Sequence, residues 1–203
     1  MYGRLYTMSS KNRDTRTRIL EQTWRLMEAR RGREVSIESI ARAAGVSRQA
    51  VYLHFGSRAE LLVATVRYAD EKNDLASRVR AISESPTGGD ALDRLVEFWG
   101  GYIPAIHGLA RALLASRETD PDAAAAWEDR MKVFREGCRR TADALAQEGV
   151  LAPEWNVRAS AGMMWALLSV SVWENLTIDL GWSAGEYVAR MKTALRRVFV
   201  RNS

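Results

Sequence analysis

Ser36–Phe55 reads SIESIARAAGVSRQAVYLHF, and the spacing of its apolar residues sets the architecture of the first part of the chain. Ile37, Ile40, Ala41 and Ala44 fall on one helical face, Ser36 stands where an N-cap is needed, and Gly45 permits the left-handed turn that closes a helix of two turns. Ser47 then caps a second short helix that carries Val51 and Phe55 and stops at Gly56. Two short helices joined by a tight glycine-containing turn make a helix-turn-helix. In such a unit the first helix lies across the DNA backbone and the second inserts its N-terminal side chains into the major groove. The outward residues of that second helix are Ser47, Arg48, Gln49, Ala50, Tyr52 and His54. Arginine pairs bidentately with guanine and glutamine with adenine, so Arg48 and Gln49 are the expected base readers. Tyr52 either offers its hydroxyl to a phosphate or is a core aromatic with a wet tip.

On the N-terminal side, Ile19, Leu20, Thr23, Leu26 and Met27 trace one face of a helix over Asp14 to Arg31, with Gly32 placed to cap it. Residues 1–13 show no periodicity and read as a flexible basic arm. Ser57 and Glu60 form a capping box that opens a long helix through Leu61, Leu62, Val66 and Leu75 toward Ile82. Asp90 caps a helix through Leu95 and Trp99 that is interrupted near Gly100, Gly101 and Pro104, and another runs from His107 to Ser116. Asp120 with Pro121 starts a long helix to Gly149. An apolar helix spans Asn156 to Leu180, and Ser183 with Glu186 opens a last one whose buried face is Tyr187, Val188, Met191, Ala194, Leu195, Val198 and Phe199. No segment alternates with period two, so the chain reads as all-α with about nine helices. Its expected parts are the arm 1–13, the DNA-binding module 14–56 and a helical body 57–203.

Composition narrows the function. The chain has 203 residues, 47% of them hydrophobic, enough to bury a core and to exclude whole-chain disorder. Residues 1–60 hold 12 Lys and Arg against 6 Asp and Glu, whereas 61–203 hold 18 against 19. A basic end joined to a near-neutral body is the footprint of a module that meets a polyanion. The longest uncharged run, Ala159–Trp173, has 15 residues and reads as a buried helix, too short to span hydrocarbon. The first residues show no apolar signal core, so the expected compartment is the cytoplasm. With Cys138, His54 and His107 the only cysteine and histidines, no metal-ligand spacing exists, and no cofactor is expected.

Over Asp14 to Leu62 these residues resemble the TetR family of bacterial transcription regulators: an amphipathic helix, an AAGVS turn, then YLHFGSRAEL with Tyr, Phe, a cation and Leu at the family's intervals. The resemblance implies that Ser36, Tyr52 and Arg58 contact phosphates and that Ser47 to Ala50 form the specificity segment. Ala50 stands where many members have Thr, and Arg58 where many have Lys. His54 matches a frequent aromatic or His, and either touches a phosphate or packs at the surface. The resemblance also implies a homodimer formed by the last two helices, which would cover the apolar run around Leu168, with a small-molecule effector in the body.

Six of the seven tryptophans lie beyond the DNA-binding module. An effector pocket is lined by aromatic and apolar side chains, so Trp99, Tyr102, His107, Trp127, Met131, Phe134 and Trp165 are its candidates, each with core packing as the alternative. The reading is a ligand-responsive DNA-binding regulator, a repressor released from a palindromic operator by an apolar or aromatic molecule. A constitutive DNA-binding structural protein is the rival. No nucleophile–base pair or paired carboxylates suggest an enzyme.

Overall fold

A computed structural model describes residues 3–30 and 35–201, with side chains for 12–29 and 35–201. The described residues form ten α-helices: α1 Gly3–Arg30, α2 Ile37–Ala44, α3 Arg48–Phe55, α4 Arg58–Lys72, α5 Leu75–Ser83, α6 Gly88–Ser116, α7 Pro121–Gln147, α8 Val157–Leu167, α9 Val170–Glu174 and α10 Ala184–Phe199, with a π-helical turn Asn175–Asp179 after α9. Among them the only β pairing is a single bridge between Leu151 and Val200. No helix among the described residues is long and apolar enough to cross a membrane. The expected all-helical class is found.

Several boundaries differ from those that the sequence suggests. The first helix begins at Gly3, within the stretch to residue 13 that reads as a flexible arm; its Gly32 cap lies outside the described residues. The helix opened by Ser57 ends at Lys72, because Asp74 adopts a left-handed conformation (φ 52°) and its carboxylate accepts from the Ser77 hydroxyl at 2.9 Å, starting α5 afresh. Conversely α6 is one helix through Pro104. Proline forfeits a bond to the preceding turn, but Tyr102, Ile103 and Ile106 are buried beside it and tertiary packing carries the helix through. Its cap is Thr87, not Asp90: the Thr87 hydroxyl accepts the Asp90 N–H at 3.0 Å and donates to the Asp90 carboxylate at 2.8 Å. The apolar helix expected over Asn156 to Leu180 is broken at Ser169, whose hydroxyl accepts the Val172 N–H and caps α9.

Packing gathers the chain into two compact units, Met1–Lys72 with Gly108–Arg130, and Asn73–His107 with Met131–Ser203. The division falls inside α6 and α7. In the first unit α2 packs on α1 and α3, and α4 on α1 and α3. Ile19, Leu20, Ile40, Val51, Leu61 and Leu62 are fully buried there. Gly108 lets α6 approach α1, since a Cβ would lie 2.7 Å from Glu28 Cγ. In the second unit Leu92, Leu95 and Ile103 of α6, Leu145 of α7 and Tyr187, Leu195 and Phe199 of α10 form the core. Asp93 accepts from Arg196 at 2.8 and 3.1 Å, a bidentate pair between α6 and α10. Leu168, expected to face a partner subunit, is instead fully buried within its own protomer.

Candidate nucleic-acid interface

The reading helix is built by local rules. Ser36 Oγ accepts the Ser39 N–H at 3.2 Å and caps α2. Gly45, at φ 64° and ψ 38°, turns the chain, and the Val46 N–H reaches back to the Ala41 carbonyl at 3.0 Å, the Schellman closure that glycine makes cheap. Arg18 Nε donates to the Ala44 carbonyl at 2.7 Å, tying this turn to α1. Ser47 Oγ accepts the Ala50 N–H at 3.1 Å and starts α3.

Val51 and Phe55 anchor α3 by burial, and Arg16 lies over the Phe55 ring, 4.9 Å from its centroid. The opposite face is thereby committed to solvent. Arg48, Gln49 and Tyr52 are all exposed on it, with the Arg48 guanidinium 5.8 Å from the Tyr52 ring centre. Tyr52 is thus no core residue. Leu53, missed in the sequence, is 81% exposed on this helix; its apolar character alone hid it, although its place between Tyr52 and His54 marks the outer face. Such a side chain suits contact with a thymine methyl. Ser47 and Ala50 are occupied chiefly in capping, and His54 is half-buried with its ring 6.2 Å from that of Phe55.

Arg58, expected at a phosphate, is engaged within the protein. Its Nη1 donates to Asp120 at 2.7 Å and to Asp122 at 3.5 Å, while Nε and Nη2 approach the Val35 carbonyl at 3.4 and 3.5 Å. Burial works against the charge on both Arg58 and Asp120. Their mutual hydrogen bond overcomes it, holding the arginine above and the aspartate below their ordinary pKa values.

The effector candidates do not form one set. Trp99 stacks on Phe134 at 4.5 Å and Tyr102 on Phe98 at 5.2 Å, and with Met131 they are buried in the second unit. His107 is hydrogen-bonded to Glu174 at 2.7 Å, half-buried, with the Trp173 ring 5.0 Å away. Trp165 is half-buried under the Arg135 guanidinium. Trp127 lies in the first unit. The buried Trp99 N–H and Tyr187 hydroxyl lack hydrogen-bond partners of normal geometry, and burial pushes the Tyr187 pKa up. Among the described residues no cluster of His, Cys, Asp or Glu could hold a metal ion.

Known proteins share both the module and the fold. Residues 19–65 match the family of bacterial regulatory proteins, tetR family. The nucleoid occlusion factor SlmA of Marinomonas sp. (strain MWYL1) is 28% identical over 127 residues, 62% of this chain and 60% of that protein, so the match spans about three-fifths of that relative's length. Among solved structures, a transcriptional regulator from Saccharomonospora viridis in complex with choline superposes with a TM-score of 0.73 at 21% identity, covering 93% of this chain and 99% of that one. NalD of Pseudomonas aeruginosa, the secondary repressor of the MexAB-OprM multidrug efflux pump, gives 0.72 at 22% identity, covering 96% and 100%. The tetR-family match thus covers the helix-turn-helix module, and the chain as a whole shares the fold of these regulators.

Proposed function

We propose that the protein is a homodimeric repressor that binds a palindromic DNA operator and is released by a small apolar or aromatic effector. The observation that carries the DNA reading is the outer face of α3, where Arg48, Gln49, Tyr52 and Leu53 are exposed while Val51 and Phe55 hold the helix from behind. Arg48 and Gln49 are the base readers in this scheme, and Tyr52 and the exposed Ser36 position the backbone.

A dimer through α8 and α10, the first part of the expected Asn156 to Leu180 segment and the final helix, is supported by the outer face of α8. Ala159, Gly162, Met163 and Ala166 recur at i, i+3, i+4 and i+7 and, with Trp155, Asn156 and Arg158, line a groove of about 430 Å³. Small residues beside one exposed methionine suit a closely approaching helix, and isologous dimers are the commonest oligomers. Two readers one helical turn apart then call for half-sites roughly 34 to 36 Å apart.

Support for an effector is the aromatic interior of the second unit, together with the neighbour solved with choline, a cation that aromatic faces recognise. Trp99, Tyr102, Met131, Phe134 and the His107–Glu174 pair are its candidate lining; Trp127 belongs to a different unit. Coupling of about 1 to 3 kcal/mol between effector and operator suffices for regulation. Selection of bound sequences from random duplex DNA, followed by operator titration against a small-molecule panel, tests the reading. Enrichment of a palindrome with a compound that weakens binding supports it. Without a palindrome the dimeric repressor fails, and a palindrome insensitive to every compound favours a constitutive DNA-binding protein.

A further inference from the structure

Arg58 opens α4 directly after the Gly56–Ser57 turn that ends α3. From there its guanidinium reaches two other places: the Val35 carbonyl, immediately before the cap of α2, and the carboxylates of Asp120 and Asp122 at the start of α7. The Arg58 side chain is 16% and that of Asp120 11% exposed, so this is a mostly buried junction. Asp120 is committed there as well, because its Oδ1 also accepts the N–H groups of Asp122 and Ala123 at 3.1 and 3.3 Å. Farther along, Arg67 pairs with Asp129 at 3.4 Å and Arg130 with Asp70 at 3.5 Å. Nine residues separate Arg58 from Arg67 and nine separate Asp120 from Asp129, so α4 runs parallel to the first turns of α7 with the pairs in step.

We propose that Arg58 is a positioning residue and not a phosphate ligand: with Asp120 it fixes the helix-turn-helix against the start of α7 and thereby sets the operator spacing the protein accepts. Moving Arg58 onto DNA would strand the Asp120 charge in a buried site where its Oδ2 already lacks a hydrogen-bond partner, and an uncompensated buried charge is costly. Arginine is required because a planar fork serves two carboxylates and a carbonyl at once, whereas a lysine ammonium is a point charge on a flexible stem. Loosening the first turn of α7 from α4 frees the angle at which α3 is presented.

The inference rests on the dimeric reading above, and the test separates the two. Selected operators are rebuilt with the centre one base pair longer or shorter, and affinities are measured for the wild type, Arg58→Lys and Asp120→Asn; the asparagine retains an N-cap acceptor, and circular dichroism verifies folding. The wild type prefers its own spacing by about tenfold, while both variants fall within about threefold across the series at an unchanged salt slope. A full spacing preference in Asp120→Asn overturns the inference and leaves the dimer standing. So does a salt slope lowered by about one in Arg58→Ala with spacing preference intact, since that marks a lost phosphate contact. A wild type indifferent to spacing removes the dimeric reading, and this inference with it.

Discussion

Placing one carboxylate at two positions five residues apart should break the protein in two different ways. Met163 is 41% exposed on the outer face of α8, whereas Leu168 has no exposed surface. Complete burial of a methionine contributes about 1.5 to 3 kcal/mol, so covering its remaining exposed part in a dimer contributes roughly 1 kcal/mol per copy. Two-fold symmetry doubles this, and Met163→Glu adds a pair of like charges desolvated near one another, for a total of at least about 3 to 4 kcal/mol. That weakens dimerisation by two to three orders of magnitude, on the order of 100- to 1000-fold. The folded protomer should keep its helical signal, and its melting temperature should fall only by the lost linkage to dimerisation. Leu168→Glu instead loses about 2 to 5 kcal/mol of packing before the cost of its buried charge is added, enough to unfold a marginally stable domain. Sedimentation velocity at micromolar concentration with a thermal melt by circular dichroism separates these outcomes. A Met163→Glu protein as dimeric as the wild type, or a folded monomer from Leu168→Glu, would overturn this division of roles between the two positions.

Arg48→Ala or Gln49→Ala should each cost roughly 1 to 3 kcal/mol of operator affinity and relax preference at one base pair, whereas Tyr52→Phe should weaken all sequences alike; competition binding to single-base operator variants checks this, and an unchanged preference in Arg48→Ala contradicts it. Gly88→Ala should destabilise by about 1 to 3 kcal/mol in a chemical denaturation series, because its Cβ would stand 2.8 Å from the Leu145 backbone, which has nowhere to move. Asp120→Asn should lower stability by about 2 to 4 kcal/mol at pH 7. Since the native Asp120 pKa is depressed, that margin exists above the unfolded value of about 3.9 and is lost as pH falls through the native one. Denaturation from pH 7 to 3 should show the gap between wild type and variant narrowing at the acid end, and a constant gap would speak against the ion pair.

Local chemistry made the DNA-binding module legible in the sequence. Each of its signals is confined to a few residues: Ser36 caps α2 and Ser47 caps α3, Gly45 turns where only a positive φ serves, and Val51 and Phe55 choose the inward face. The same reasoning failed wherever a residue's role depends on a distant partner. Arg58 by motif alone is a cation beside DNA, and nothing local to the motif announces its pairing with Asp120, 62 positions away. Pro104 by local rule ends a helix, and buried neighbours override it. Ser169 errs in the opposite direction, since one hydroxyl able to cap Val172 interrupts a run whose hydropathy reads as continuous.

The candidate effector residues are the least legible in the sequence because a pocket and a core draw on the same side chains. Trp99 and Phe134 stack at 4.5 Å as core aromatics do, yet the buried Trp99 N–H and Tyr187 hydroxyl are left without good partners. The two groups face one another, so each carries part of the cost of a buried polar group that lacks a well-formed hydrogen bond. A lining and a core of the same hydrophobicity would differ in polar satisfaction. Composition and periodicity register only hydrophobicity, so they do not separate Trp99 from Trp127, which lies in a different compact unit.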